Sequence, residues 1–277
     1  MTQWLGMCLD ASAFNPIIGV SINSISGSVR ASAEKTTEVA GSSGQEAIRG
    51  EPTTGPIKPI FGRGKRVSSG RGHWELFREI KFEGCAHSCY LAIAARDDEI
   101  AVADMYGNRV VIFSIDGKQK STIQLQKCPR GIAVEPIHNR FVVIETYDPK
   151  VKVFNSDNSL AYEFPTVPAD EVGKPHSPRT RGVAVKKDGT ILVTYDQGWV
   201  YTEHKPSNGE LLRTVPVKLC PAQLAVDNKD RVIISNYGAR PFVAVTDGSS
   251  YTLFTIEPTI LGKPAKYCLD VYADSSG

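Results

Sequence analysis

"EIAVADMYGNRVVIFSIDG" occupies residues 99–117. Two apolar runs, 100–103 and 110–115, are separated by Asp, Gly, Asn and Arg. Glycine and asparagine at this spacing mark a tight turn, so the stretch reads as a β-hairpin. A hairpin with one face on a core alternates apolar with polar residues. Both arms here are apolar nearly throughout, so each needs cover above and below.

Working outward, the same texture recurs. "GIAVEPIHNRFVVIETYDPKVKVFNSDNS" begins at Gly131, "GVAVKKDGTILVTYDQGWVYTEHKPSNGE" at Gly182, "QLAVDNKDRVIISNYGARPFVAVTDGSS" at Gln223, and "CLDVYADSSG" at Cys268. The matching small apolar position falls at Ala94, Val134, Val185, Val226 and Val271, at intervals of 40, 51, 41 and 45 residues. Such a period belongs to propeller blades. The long interval carries the Pro-rich "PTVPADEVGKPHSPRT" (165–180), which is expected on a loop. The first unit divides into strands at 91–95, 99–103, 109–115 and 120–125. Four short antiparallel strands per unit describe a blade. Blades stacked face to face explain the doubly apolar hairpin. The expected fold is an all-β propeller with blades at about 85–125, 128–164, 177–215 and 220–257, and part of a fifth at 263–277. The chain is expected to be an incomplete ring from a truncated sequence, ending on an unpaired strand.

The units resemble NHL repeats. "EIAVAD", "GNRVVIF" and "DG" in the first unit carry the resemblance, with "CPRGIAVE", "KVKVF", "RGVAVKKDGTILVTYD" and "CPAQLAVDNKDRVIISN" as weaker echoes. It spans about residues 85–277. NHL propellers stand at the C-terminus of many tripartite-motif proteins, which act as ubiquitin ligases or RNA regulators. The resemblance therefore implies an interaction module. The RING and B-box cysteine patterns of those proteins are missing from this sequence, so ligase chemistry would belong to a longer relative.

Residues 1–72 lack periodicity and are rich in small polar residues, a composition that cannot offset ordering entropy. They are expected to be a disordered segment, with 73–277 as the propeller. Arg63, Lys65, Arg66 and Arg71 lie among glycines at 61–72. This stretch reads as a solvated basic linker or as an RNA-binding or import arm.

The formal net charge of +2 gives no global basic field. Seven basic against four acidic side chains fall between 51 and 83, and the rest of the propeller region is balanced. The cysteines (8, 85, 89, 128, 220 and 268) form no CxxC pair. That argues against a zinc module or a disulfide scaffold. The expected location is the cytoplasm, with neither membrane nor DNA as partner.

In a propeller the d–a and b–c loops share one face. Lys127, Arg130, Arg179, Arg181 and Lys218 fall on d–a loops, and Tyr106, Asn108, Tyr147, Lys150, Tyr237 and Arg240 on b–c loops. This face is the candidate binding surface. A protein partner is expected from the near-neutral charge of 84–277. Single-stranded RNA is the alternative, because basic groups track phosphates and tyrosines stack on bases. Arg109 is expected to pair with an Asp inside its blade. Asp104, Asp148 and Asp196 recur near the end of strand b and read as turn caps. The histidines (73, 87, 138, 176 and 204) fall at no common blade position and read as solvated loop residues. No nucleophile with its base, phosphate loop or carboxylate pair is recognisable. The expectation is therefore no catalysis, no cofactor and no metal, with a metal-dependent propeller hydrolase or lyase as a minor alternative.

Overall fold

The computed structural model describes residues 5–9, 19–23, 28–32, 91–146, 148–167, 178–238, 241–260, 263–264 and 267–273. The basic stretch 61–72 and most of the Pro-rich insertion lie outside them. Within 1–72, three strands are described: β1 (Leu5–Leu9), β2 (Gly19–Asn23) and β3 (Ser28–Ser32).

Four antiparallel sheets of four strands follow, each ordered by sequence. Blade 1 holds β4 (Leu91–Arg96), β5 (Glu99–Asp104), β6 (Arg109–Ser114) and β7 (Gln119–Gln124). Blade 2 holds β8 (Pro129–Glu135), β9 (Arg140–Glu145), β10 (Lys150–Phe154) and β11 (Leu160–Pro165). Blade 3 holds β12 (Thr180–Val185), β13 (Ile191–Tyr195), β14 (Val200–His204) and β15 (Leu211–Pro216). Blade 4 holds β16 (Pro221–Val226), β17 (Val232–Asn236), β18 (Val243–Thr246) and β19 (Thr252–Ile256). A small ribbon, β20 (Thr259–Ile260) with β21 (Lys263–Pro264), leads to β22 (Tyr267–Tyr272). The all-β propeller of four blades and part of a fifth is therefore present.

Each sheet buries its middle. In the opening hairpin Ala101, Val102, Ala103, Val110 and Ile112 are all fully buried. Alternate residues of β5 and β6 pack toward blade 2, where Ile132, Phe141, Val143 and Phe154 complete the cluster. The outer strands instead leave most residues exposed or half-buried; β7, β11 and β15 bury one anchor each, Ile123, Phe164 and Val215, and β19 buries none fully. A fully buried aliphatic side chain contributes about 1.5–3 kcal/mol, so the inter-blade clusters dominate stability. Polar staples add direction. Arg96, 3% exposed, donates to the carbonyls of Asn139, Asn155 and Ser156 in blade 2. Its guanidinium also sits over the Phe141 ring.

The innermost strands β4, β8, β12, β16 and β22 follow one another around a central cavity of about 650 Å³. The C-terminal strand is not unpaired, as the sequence reading had it. β22 pairs antiparallel with β1, from Leu5↔Tyr272 to Leu9↔Tyr267. A bare edge leaves backbone donors and acceptors unmatched, and the N-terminal strand supplies the match.

Candidate functional site

The d–a and b–c loops meet on one face, and backbone hydrogen bonds tie them together. Thr146 N–H donates to Cys128 O, Asp196 N–H to Arg179 O, and Tyr237 N–H to Cys220 O. Side chains at the end of strand b clasp the same loops. Glu145 accepts from the N–H groups of Gln126 and Lys127, Asp196 from Arg179, and Asn236 from Cys220. Asp104 caps its own turn through Gly107 N–H and holds Arg109 at 2.8 Å, as expected. In blade 2 the clasp is Glu145 rather than Asp148, which lies further on and faces Lys127 at 3.4 Å.

Two arginines enter this face through irregular strands. The β4–β5 pairing of blade 1 is unbroken. In blade 2 the register passes from Pro129↔Glu145 to Gly131↔Ile144 and skips Arg130. In blade 3 it passes from Thr180↔Tyr195 to Gly182↔Thr194 and skips Arg181. Each arginine is the extra residue of a β-bulge, a device that re-aims a side chain. The glycine after it has a separate task. A Cβ on Gly182 would lie 2.6 Å from the Ala222 carbonyl oxygen and 2.8 Å from Gln223 Cα. Glycine here lets two inner strands approach, and the Arg-Gly pair gives close packing and a charge at the mouth together.

The result is a cleft of about 310 Å³ lined by Arg130, Thr146, Arg179, Thr180, Arg181, Asp196 and Tyr237. Among the described residues, three arginines and one carboxylate line it. The Arg181 guanidinium carbon lies 3.5 Å from the centroid of the Tyr237 ring. Arg181 is 8% exposed, whereas Tyr237 is 51% exposed. Thr180 is spent on structure, donating its hydroxyl to the carbonyls of Asp148 and Glu145. The Thr146 hydroxyl oxygen is buried without a hydrogen-bond partner among the described residues.

Four of the candidate residues, Arg130, Arg179, Arg181 and Tyr237, are thus gathered from three blades. The other described candidates do not line this cleft. Lys127 is engaged by Asp148, and Lys150 by Glu163 at 2.5 Å, a hydrogen bond that raises the lysine pKa. Tyr106 stands exposed on blade 1, Asn108 holds a left-handed turn (φ 49°), and Lys218 is exposed between β15 and β16. Tyr147 and Arg240 lie outside the described residues. Thr146 carried no signal in sequence. Its place depends on where strand b ends.

His204 corrects another expectation. It ends β14 at 1% exposure, where the sequence reading had a solvated loop histidine. Its Nδ1–H donates to Gly209 O at 3.0 Å, so Nε2 accepts from the Thr202 hydroxyl at 2.8 Å. Burial lowers its pKa against the opposing pull of the Gly209 carbonyl. Nearby Glu203 is held below the ordinary carboxylate range. Burial opposes its ionisation, but hydrogen bonds from Arg213 and Lys186 outweigh that.

No family model matches this chain, and no curated protein matches it. Solved structures do. Virginiamycin B lyase from Staphylococcus aureus aligns with TM-score 0.56 at 13% identity, over 94% of this chain and 90% of that one. Hydrazine synthase of Kuenenia stuttgartiensis aligns with TM-score 0.49 at 13% identity, over 60% of this chain. A Bacteroides caccae protein of unknown function gives 0.45 at 14%, over 63% of this chain. The chain spans 47% and 60% of those two. With virginiamycin B lyase the propeller fold is the shared feature. The expectation of no catalysis is corrected by the likeness to the lyase. The shared fold is one on which a lyase is built, so the lack of a familiar catalytic motif does not exclude chemistry. Among the described residues, no helix is long and apolar enough to cross a membrane.

Proposed function

We propose that this chain is a cytoplasmic interaction module of NHL type. Its d–a/b–c loop face receives a protein partner, as propellers of tripartite-motif proteins do in the ubiquitin pathway, and the partner presents an acidic segment to the arginine cleft. The observation that carries this reading is the convergence of Arg130, Arg179 and Arg181 on one cleft, with Asp196 the one carboxylate among its described lining residues. RNA needs a track of unengaged cations along its backbone. Here Lys127 and Lys150, which would extend such a track, are held by Asp148 and Glu163. Positive charge is therefore a spot rather than a stripe, which suits a short acidic peptide.

The test selects peptides from a random displayed library on the full chain and compares them with oligouridine by fluorescence polarisation. Acidic peptides should be enriched. Their binding should be lost in Arg130→Glu/Arg179→Glu and kept in Lys118→Glu/Lys229→Glu, whose lysines lie on turns of the opposite face. Tight oligouridine binding with a slope of about −0.7 per phosphate in log K against log salt, without acidic-peptide binding, would make the face an RNA surface instead.

A further inference from the structure

Arg181 is more than nine-tenths buried and lines the cleft, yet no oxygen or carboxylate among the described residues accepts from its guanidinium. Its contact is the Tyr237 ring. A buried charge without an acceptor is costly, and proteins rarely keep one without use. The Thr146 hydroxyl, buried and unpartnered, lines the same cleft. Two unsatisfied polar groups on one wall, with Arg130 and Arg179 also lining the cleft, offer donors suited to an anion.

We infer that this cleft is a phosphoryl-binding pocket that reads a phosphorylated side chain on the partner protein, an inference resting on the protein-binding reading of the same face. Donor count favours phosphoryl over carboxylate. The two unsatisfied groups are a guanidinium fork and a hydroxyl, and a phosphate monoester brings about −1.5 to −2 at pH 7 with three acceptor oxygens to meet them. A carboxylate brings one charge and two oxygens. Guanidinium forks match phosphoryl oxygens in paired hydrogen bonds, and Arg clusters are the recurrent solution for phosphorylated motifs. In this arrangement the Arg181 fork, set on Tyr237, grips two oxygens and the Thr146 hydroxyl donates to the third. The bulge that displaces Arg181 from the β12–β13 ladder is what turns it toward the seat. The cavity is large enough to admit the side chain that carries the group.

The test uses the full chain and three labelled acidic peptides that differ only at a central residue: serine, phosphoserine or glutamate. Fluorescence polarisation should show the phosphoserine peptide binding at least about tenfold more tightly than the other two. Inorganic phosphate should displace it and acetate should not. Arg181→Met and Thr146→Val should each erase the phosphoserine preference without lowering Tm, because each removes an unsatisfied buried polar group. Equal binding of all three peptides, lost in Arg130→Glu/Arg179→Glu, would overturn the phosphoryl seat and leave the protein-binding reading standing. Retention of the preference in both Arg181→Met and Thr146→Val would also overturn it. Binding of none of the peptides alongside tight binding of oligouridine would sink both.

Discussion

The Tyr272 hydroxyl donates to Ile93 O at 2.8 Å and accepts from Ile93 N–H at 3.4 Å, across 179 residues of sequence. Ile93 lies on β4, the inner strand of blade 1, whose other edge is paired to β5. Its N–H and C=O both face away from that pairing. One hydroxyl therefore satisfies both backbone groups and links the two ends of the propeller.

Removing that hydroxyl isolates its contribution. Tyr272→Phe should lower unfolding free energy by about 1–3 kcal/mol, because it leaves a buried donor and acceptor unmet. Urea unfolding should show a lower midpoint with an unchanged m-value. An unchanged midpoint would mean that the ends of the propeller are held together by other contacts.

A second staple is ionic. Lys152 Nζ lies 2.6 Å from Glu145 Oε2, with side chains 9% and 2% exposed. Glu145 also accepts from the N–H groups of Gln126 and Lys127. Glu145→Ala should cost about 3–5 kcal/mol, the range for a buried pair broken from one side. Lys152→Met should cost less, because the carboxylate keeps two backbone donors. If Lys152→Met proved the more damaging, the ion pair rather than the loop clasp would dominate.

His204 makes stability depend on pH. Its native pKa is depressed by burial, so between the unfolded value of about 6.5 and the lower native value the unfolded chain binds more protons. Stability is complete above that window and falls as pH drops through it. The urea midpoint should decline below about pH 6.5 in the native chain, and His204→Gln should flatten that decline. Identical pH profiles would show that another group governs the acid limb.

The propeller was legible because its signal is local and repeated. The doubly apolar hairpin at 99–117 and the recurrence of Ala94, Val134, Val185, Val226 and Val271 follow from blade stacking alone. The β1–β22 pairing was not legible, since no local pattern links Leu5–Leu9 to Tyr267–Tyr272. Nor were the bulges. Register is a relation between two strands, and a lone strand reads the same with Arg130 paired or skipped. Arg130, Arg179, Arg181 and Tyr237 were found by loop placement, but their convergence depended on those bulges. Burial of His204 was missed because its partners, Thr202 and the Gly209 carbonyl, lie on its own blade yet leave no mark in composition. Lys186 follows β12 on the face opposite the cleft, but it is bonded to Glu203 at 2.8 Å. Charge reversal there would perturb folding, so Lys118 and Lys229 are the sound controls.

The Arg181–Tyr237 contact carries a prediction of its own. A guanidinium over an aromatic face gains about 0.5–2 kcal/mol, and the ring also fixes the direction of the fork. Tyr237→Phe keeps the ring and should leave acidic-peptide affinity unchanged. Tyr237→Ala removes it and should weaken binding by roughly two- to thirtyfold. Tyr237 is half exposed, so Tm should hold in Tyr237→Phe and fall in Tyr237→Ala only by what the lost ring contact contributes, with the cooperative transition kept, which separates loss of the platform from loss of the fold. The stepwise order phenylalanine, then alanine, is the signature of a ring acting as a base for the arginine. Equal loss in both variants would place the effect in the phenolic hydroxyl, and the platform would have to be abandoned.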